Sequence, residues 1–339
     1  MKEISNSISN QNVPRLKYMQ LVEYVLSQIE QENLQINDRL PSLNQLTSKL
    51  EISKETALKG LQYLTEKGII EAEFRKGYYV RRLNIDHTYR ICLILDKMNI
   101  LRDRFYQCFL ESMGDQGEID IFFHHHNYKV FSDIILGNLN NYTHFIVATF
   151  LKEDPSSVLN QIPAHKRIII DYNEENLEGN YSVIYQDFEH DIYNSLTKLQ
   201  KQVNKYKKLV LIAHSEASHA EQVIKGFVKY CEKKSILHEV QSEVTEEKFK
   251  KNTGYITFSR YDTDDVALIK LAKKQGCILG EDIGLISYND TAVKEILEGG
   301  ITVISTDFDR MGRSVADIIL GKKSIQERNP TQVIIRNSF

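Results

Sequence analysis

The chain has 339 residues, a formal net charge of −3 and 42% hydrophobic residues, a length that implies two or three domains. No apolar run is long enough to span a membrane, the N-terminal "MKEISNSISNQN" is polar and unlike a signal peptide, and the four cysteines (Cys92, Cys108, Cys231, Cys277) lack metal-ligand spacing. We therefore expect a cytoplasmic protein with reduced thiols, no metal, no other cofactor and no membrane contact.

Tyr18 to Gln31 carries Leu21, Val22, Val25 and Ile29 on one face, which predicts an amphipathic helix. "RLPSLNQLTSKL" (39–50) predicts a second: Pro41 precedes it, Ser42 and Gln45 form a capping box, and Leu43, Leu46 and Leu50 make its apolar stripe. Only Glu51 to Ser53 separate it from "ISKETALKGLQYLTEKGII" (52–70), where Ala57, Gly60, Leu61 and Leu64 share a face, Ser53 is the N-cap and Gly68 the stop. Lys54, Glu55, Thr56 and Lys59 project hydrogen-bonding side chains from its other face. "GIIEAEFRKGYYVRR" (68–82) predicts a hairpin in which Ile70, Ala72 and Phe74 alternate and Arg75-Lys76-Gly77 turns. Three helices with a three-residue connection and a basic-tipped hairpin make a winged helix-turn-helix, which presents its third helix to the DNA major groove.

Charge agrees with that layout. Residues 1–82 hold 12 Lys and Arg against 10 Asp and Glu, or +2; residues 83–339 hold 31 against 36, or −5. A weakly basic head on an acidic body fits DNA contact through one small face.

Beyond the polar stretch 81–90, strand and helix patterns alternate. Strands are expected at 90–96, 119–126, 143–150, 166–172, 208–215, 254–260 and 282–290, with helices at 103–113, 131–139, 191–203, 218–233 and 264–275 between them. Short continuous apolar strands alternating with helices predict parallel sheets covered on both faces, with ligands beyond the carboxyl ends of the strands. The residues there include Asp96, His124 to His126, Phe150, Tyr172, Arg260, Asp262 and Asp290. Carboxylates that bind vicinal hydroxyls, beside rings that cover a C–H face, suit a sugar. Any one such Asp is equally a candidate N-cap for the next helix, and His124 and His126 would share a strand face, with His125 turned the other way. No third ligand at suitable spacing accompanies that pair.

"NDRLPSLNQLTSKLEISKETALKGLQYLTEKGIIEAEFRKGYYV" resembles the DNA-binding domain of the GntR family of bacterial transcription regulators. The resemblance implies DNA contact by Arg39, Ser42, Asn44, Ser53, Lys54, Glu55, Thr56, Lys59, Arg75, Lys76 and Gly77. Asn44 and Leu58 stand where the family often has Arg. Asn can bond adenine and Leu can touch a thymine methyl, so the operator is expected to be less G-rich, unless Leu58 widens the core stripe.

"GCILGEDIGLISYNDTAVKEILEGGITVISTDFDRMGRSVADIILG" (276–321), "RFYQCF" and "YDTDDVALIKLAKKQG" resemble the sugar-binding effector domain of the LacI family. That implies hydroxyl binding by Asp262 and Asp290, ring packing by Phe105 or Tyr106, and Tyr172 in place of a common Arg. The fold class expected is an N-terminal winged helix-turn-helix (α+β) at 1–82, a linker at 83–88, and a two-lobed α/β periplasmic-binding-protein-like domain with parallel sheets at 89–339. The combination is similar to arabinose-responsive repressors.

The function expected is a homodimeric regulator, most simply a repressor, that binds palindromic operator DNA and responds to a monosaccharide such as arabinose or fucose. A cleft for a purine or amino acid is the alternative. An enzyme is disfavoured, because no Walker loop, Gly-x-Gly-x-x-Gly after the first strand, or nucleophile elbow is present.

Overall fold

The computed structural model describes residues 18–74, 76–82, 89–214, 219–258, 263–321 and 325–339. Arg75, the expected linker at 83–88, Arg260 and Asp262 lie outside them. The chain divides into two units, Met1–Thr88 and Tyr89–Phe339.

In the first unit, α1 (Met19–Glu30), α2 (Leu43–Leu50) and α3 (Lys54–Glu66) precede β1 (Ile70–Glu73) and β2 (Gly77–Val80), which pair antiparallel with Ile70 opposite Val80. The capping box of α2 forms, with Ser42 and Gln45 satisfying each other's backbone N–H groups. Glu51 enters the left-handed region (φ 52°) and reverses the chain into α3. Leu21, Val25, Leu46, Ala57, Leu61, Leu64, Ile70 and Val80 form one core. Gly60 sets the α1–α3 approach: a Cβ there would lie 2.9 Å from the Tyr18 carbonyl oxygen.

The hairpin corrects one expectation. Ile70 is buried, but Ala72 and Phe74 face solvent, Phe74 with 85% of its surface exposed. The alternation stops after one residue because β1 has no second layer beneath its tip.

The second unit has two lobes. Lobe 1 begins with β3 (Tyr89–Leu95), α4 (Ile100–Met113), β4 (Gly117–Phe123), α5 (Tyr128–Asn138), β5 (His144–Ala148), α6 (Ser156–Leu159), β6 (Arg167–Asp171) and β7 (Ser182–Tyr185). Lobe 2 continues with α7 (Phe188–Lys198), α8 (Gln200–Val203), β8 (Lys208–Ala213), α9 (Ala220–Lys233), β9 (Leu237–Gln241), β10 (Thr253–Phe258), α10 (Thr263–Lys274), β11 (Ile283–Tyr288), α11 (Ala292–Ile296) and β12 (Thr302–Thr306). Then α12 (Phe308–Ile319) returns to pack on α4, β13 (Gln326–Arg328) joins the lobe 1 sheet, and β14 (Thr331–Ile334) joins that of lobe 2.

The sheets run β13-β7-β6-β5-β3-β4 and β14-β12-β11-β10-β8-β9, parallel except for the antiparallel edge strand β14. Their central strands are wholly buried, as expected of sheets covered on both faces. The chain crosses between lobes at 186–188, 306–308 and 328–331, so the lobes are joined by three short segments. No helix among the described residues is long and apolar enough to cross a membrane.

Candidate functional site

Two places concentrate chemistry: the polar face of α3 with the hairpin, and the carboxyl ends of the strands in the second unit. On the head, Ser53 Oγ accepts from the Thr56 N–H at 3.1 Å, and the Ser53 and Thr56 hydroxyls are 2.8 Å apart. These two side chains are thus tied to building the helix start. Lys54, Glu55 and Lys59 stand exposed, with Lys59 Nζ 3.2 Å from Glu55 Oε1 one turn earlier. Leu58 lies beside them at 47% exposure, outside the core stripe. Ser42 is engaged in its capping box, and Asn44 is exposed.

At the hairpin, Gly77 adopts φ 116°, and a Cβ there would come 3.2 Å from Arg39 Nε, so glycine lets the Arg39 side chain lie against the turn. Lys76 Nζ is 3.1 Å from Glu73, and Arg81 reaches Glu71 and Glu73 at 2.8 Å each. The hydrogen bond from Lys76, with help from Arg81, holds the Glu73 carboxyl below the usual carboxylate range. Much of the hairpin's positive charge is therefore matched within the hairpin. The exposure of Leu58 excludes the core-stripe alternative, and Phe74 is an exposed apolar side chain that sequence reasoning did not assign to this face. Phe74 follows a charged strand, and only its failure to find a core identifies it.

In the second unit, Asp96 follows β3 and Asp171 ends β6. Arg102, on α4, bridges them: Nη2 lies 3.3 Å from Asp96 Oδ1 and Nη1 2.7 Å from Asp171 Oδ2, all three residues being buried. Burial opposes the Arg102 charge, but Asp171 and Asp96 outweigh it and hold its pKa above the ordinary value. Gln186, at the first crossing, donates to Asp171 Oδ1 at 2.7 Å and accepts from the Thr306 hydroxyl at the second. A continuous polar chain thus runs from Asp96 through Arg102, Asp171 and Gln186 to Thr306, from one lobe to the other. Sequence reasoning missed Arg102, although it falls in register with Phe105, Phe109 and Met113 on the buried face of α4.

Beside this chain lies an aromatic cluster. Phe150 follows β5, Tyr172 follows β6, Phe188 opens α7, His219 precedes α9, Phe258 ends β10 and Tyr288 ends β11. The Arg102 guanidinium sits 5.2 Å above the Phe150 ring, Phe150 and Tyr172 meet at 5.4 Å, and Phe258 and Tyr288 at 4.6 Å. Of the expected ligand residues, Asp96, Phe150 and Tyr172 come together here.

Others fall elsewhere. Phe105 is fully buried, stacked on Phe109 at 6.1 Å in the lobe 1 core near α12, and Tyr106 packs half-buried against the same core. The aromatic pair is therefore corrected from ring contact to packing; helix periodicity places it against α12. The strand expected to reach His126 stops at Phe123, and His125 and His126 take φ of 49° and 58°, so the triplet is a turn and not a strand face. His125 is exposed instead of packed. His124 is buried with Nε2 3.1 Å from the Ala148 carbonyl oxygen, and burial pushes its pKa down to about 4. His126 Nδ1 lies 2.8 Å from the Phe150 carbonyl oxygen. Among the described residues no group of three His, Cys, Asp or Glu side chains is arranged to hold a metal.

Asp290 lines a separate groove of about 540 Å³ with Arg104, Cys108, Asp309 and Arg313 of α4 and α12. Both of its carboxylate oxygens accept from Arg336. At the start of α10, Asp264 lies 3.0 Å from His214, and Asp265 accepts from the Thr257 and Ser287 hydroxyls.

Comparison with known proteins agrees with these two parts. Residues 17–80 match the gntR family of bacterial regulatory proteins, and residues 203–339 match the periplasmic binding protein-like domain. Two HTH-type transcriptional regulators of Bacillus subtilis, YydK and YcxD, are 39% identical over 67 residues and 34% over 64, covering 20% and 19% of this chain. The chain spans only 28% and 14% of the length of those relatives. Among solved structures, the trehalose repressor of Escherichia coli superposes with a TM-score of 0.60 at 13% identity, covering 73% of this chain and 99% of that one. A LacI family regulator from Enterococcus faecium with bound ribose gives 0.58 at 14% identity, covering 74% and 98%. A transcription regulator-like protein from Staphylococcus haemolyticus gives 0.60 at 18%, again covering 74% and 98%. The chain carries a GntR-type helix-turn-helix domain at its N-terminal end and a two-lobed periplasmic-binding-protein-like domain with parallel sheets after it.

Proposed function

We propose that this protein is a sequence-specific DNA-binding transcriptional regulator without catalytic activity. It acts in the cytoplasm as a homodimer on palindromic operator DNA. A small molecule in the C-terminal domain changes its affinity for the operator, and release of the operator would make it a repressor. The observation that carries the reading is the capped third helix, whose exposed face offers Lys54, Glu55, Leu58 and Lys59 while its other face is packed. That helix sits on a chain whose second unit has two lobes joined by three crossings. A head this small offers few phosphate contacts, so tight binding calls for two heads on one site.

The ligand proposed is a monosaccharide of the pentose or deoxyhexose class. Asp96, Asp171 and Gln186 supply hydroxyl-binding groups, and Phe150, Tyr172 and Phe188 supply ring faces. The ribose held by the Enterococcus faecium relative supports this class. A purine is the second reading, favoured by one observation: the ring stacked on Phe188 in this structure is a flat heterocycle, the His219 imidazole. Thermal-shift measurement against pentoses, deoxyhexoses, purines and amino acids tests the assignment, since a ligand at a hundred times its Kd stabilises by about 2.7 kcal/mol. Stabilisation by a pentose or deoxyhexose alone supports the first reading, and by a purine alone the second.

A further inference from the structure

His219 has an unusual place. Its imidazole stacks on Phe188 with ring centres 4.4 Å apart and planes 12° from parallel. Phe258 and Phe150 meet it edge-on at 5.0 and 5.3 Å, and Tyr172 lies tilted to it at 6.3 Å. Phe150 and Tyr172 follow strands of lobe 1, whereas Phe188, Phe258 and His219 itself belong to lobe 2. A side chain of one lobe is thus held by rings of both, beyond the carboxyl ends of the strands, where sheets of this kind hold ligands. The stacked and edge-on geometries are those that aromatic quadrupoles favour.

We propose that His219 is a tethered stand-in for the effector: its imidazole fills a ring-binding subsite, holds the lobes together without ligand, and swings out when the effector ring enters. The proposal rests on the reading that this cleft is the effector site. It names what the subsite takes, a neutral five- or six-membered ring with at least one apolar face. The walls are aromatic, and the nearby charges, Arg102 with Asp96 and Asp171, sum to one negative charge, which disfavours anions. Burial, reinforced by the Arg102 charge, pushes the His219 pKa down to about 4, so the resident ring is itself neutral at pH 7.

An occupied subsite lowers apparent affinity by the fraction of molecules whose side chain is already out. Removing the ring therefore tightens ligand binding, and a better-packed ring weakens it. A residue that simply contacted the ligand would give the opposite result on removal.

The experiment uses the full-length chain as wild type, His219→Ala and His219→Phe, with folding of each checked by circular dichroism. Neutral imidazole at pH 8 is the first probe. It should raise the Tm of His219→Ala by about 2 °C or more and leave wild type and His219→Phe unmoved. An equal response in all three proteins overturns the proposal. L-arabinose, L-fucose, D-ribose, adenine and hypoxanthine are the second set. Any that binds wild type should bind His219→Ala about fivefold or more tighter and His219→Phe about fivefold or more weaker. Unchanged or weaker binding to His219→Ala overturns the proposal. If none of the five binds any variant, the effector classes proposed above fall, and the imidazole result still decides whether the subsite exists.

Discussion

Arg336 grips Asp290 through two parallel hydrogen bonds of 2.8 Å, Nη1 to Oδ1 and Nη2 to Oδ2. The sequence offered two roles for Asp290, a hydroxyl-binding carboxylate or the cap of the following helix. The N-cap of α11 is Thr291, so capping by Asp290 is set aside. A carboxylate has about four acceptor sites, and the fork of Arg336 uses two of them, which fixes its orientation. Asp290→Ala should cost about 1.5–3 kcal/mol in urea unfolding, because Arg336 loses its charged partner. Because Asp290 lines the separate groove beside α4 and α12, effector affinity and operator affinity should both stay unchanged. A tenfold or larger loss of effector affinity, read by effector titration of the protein–operator complex, would instead make Asp290 part of the ligand site.

The Glu55–Lys59 pair spans one turn on the exposed face of α3. Both side chains are solvated, so the pair contributes only about 0.3–0.5 kcal/mol to the fold. Its larger effect is to aim Lys59. Glu55→Gln should leave Tm nearly unchanged and shift affinity evenly over a set of single-base operator variants. Relaxed preference at a single base pair would instead make Glu55 a reader of cytosine N4.

Salt dependence separates the helix from the hairpin. Lys54 is exposed at the start of α3, whereas Lys76 already faces Glu73 at 3.1 Å. A phosphate contact by Lys76 replaces an internal partner, so fewer counterions leave the DNA. Lys54→Ala should reduce the slope of log K against log salt by about one, and Lys76→Ala by clearly less. Equal losses would show that the Glu73 pair opens freely on DNA.

Two imidazoles, His124 buried and His219 half-buried, make stability depend on pH. Burial pushes both His124 and His219 down to about 4, from an unfolded value near 6.5. The folded chain therefore binds fewer protons than the unfolded one between those values. Their contribution is complete above about pH 6.5 and is lost as pH falls towards about 4, by up to about 1.4 kcal/mol per pH unit for each ring. His219→Phe should lower the slope of unfolding free energy over that window by up to one such increment, measured by urea unfolding at pH 6.5, 5.5 and 4.5. An unchanged slope would mean that His219 titrates alike in folded and unfolded chains.

The head was legible almost residue by residue, because local signals decide it. Ser42 and Gln45 cap within three residues, Ser53 caps α3, and the apolar spacing of α1 to α3 names their shared core. The main strands of the body were legible from apolar runs such as "RIIID". The strands β7, β9, β12, β13 and β14 were not, because none of them carries more than two consecutive aliphatic residues. The residues of the proposed ligand cleft were the least legible. Asp96, Phe150 and Tyr172 were found by their place after strands, but Arg102, Phe188 and His219 reach the cleft from helix starts. Their partners lie far off in sequence: Arg102 pairs with Asp171, and His219 stacks on Phe188. Phe105 misled because the family resemblance carries an aromatic pair onto α4, where helix register turns Phe105 into the core shared with α12.

The central claim is that one chain couples a DNA-reading head to a ligand-binding body, and operator binding with and without ligand tests it most directly. A duplex selected by the full-length protein from a random library would be labelled and followed by fluorescence anisotropy during titration, then repeated with each pentose, deoxyhexose and purine of the thermal-shift panel. The account predicts selective binding to one palindromic sequence, and a tenfold or larger change in its Kd with at least one compound, a coupling of about 1.4 kcal/mol. Binding that shows no preference over scrambled duplex, or that no compound in the panel alters, would contradict it.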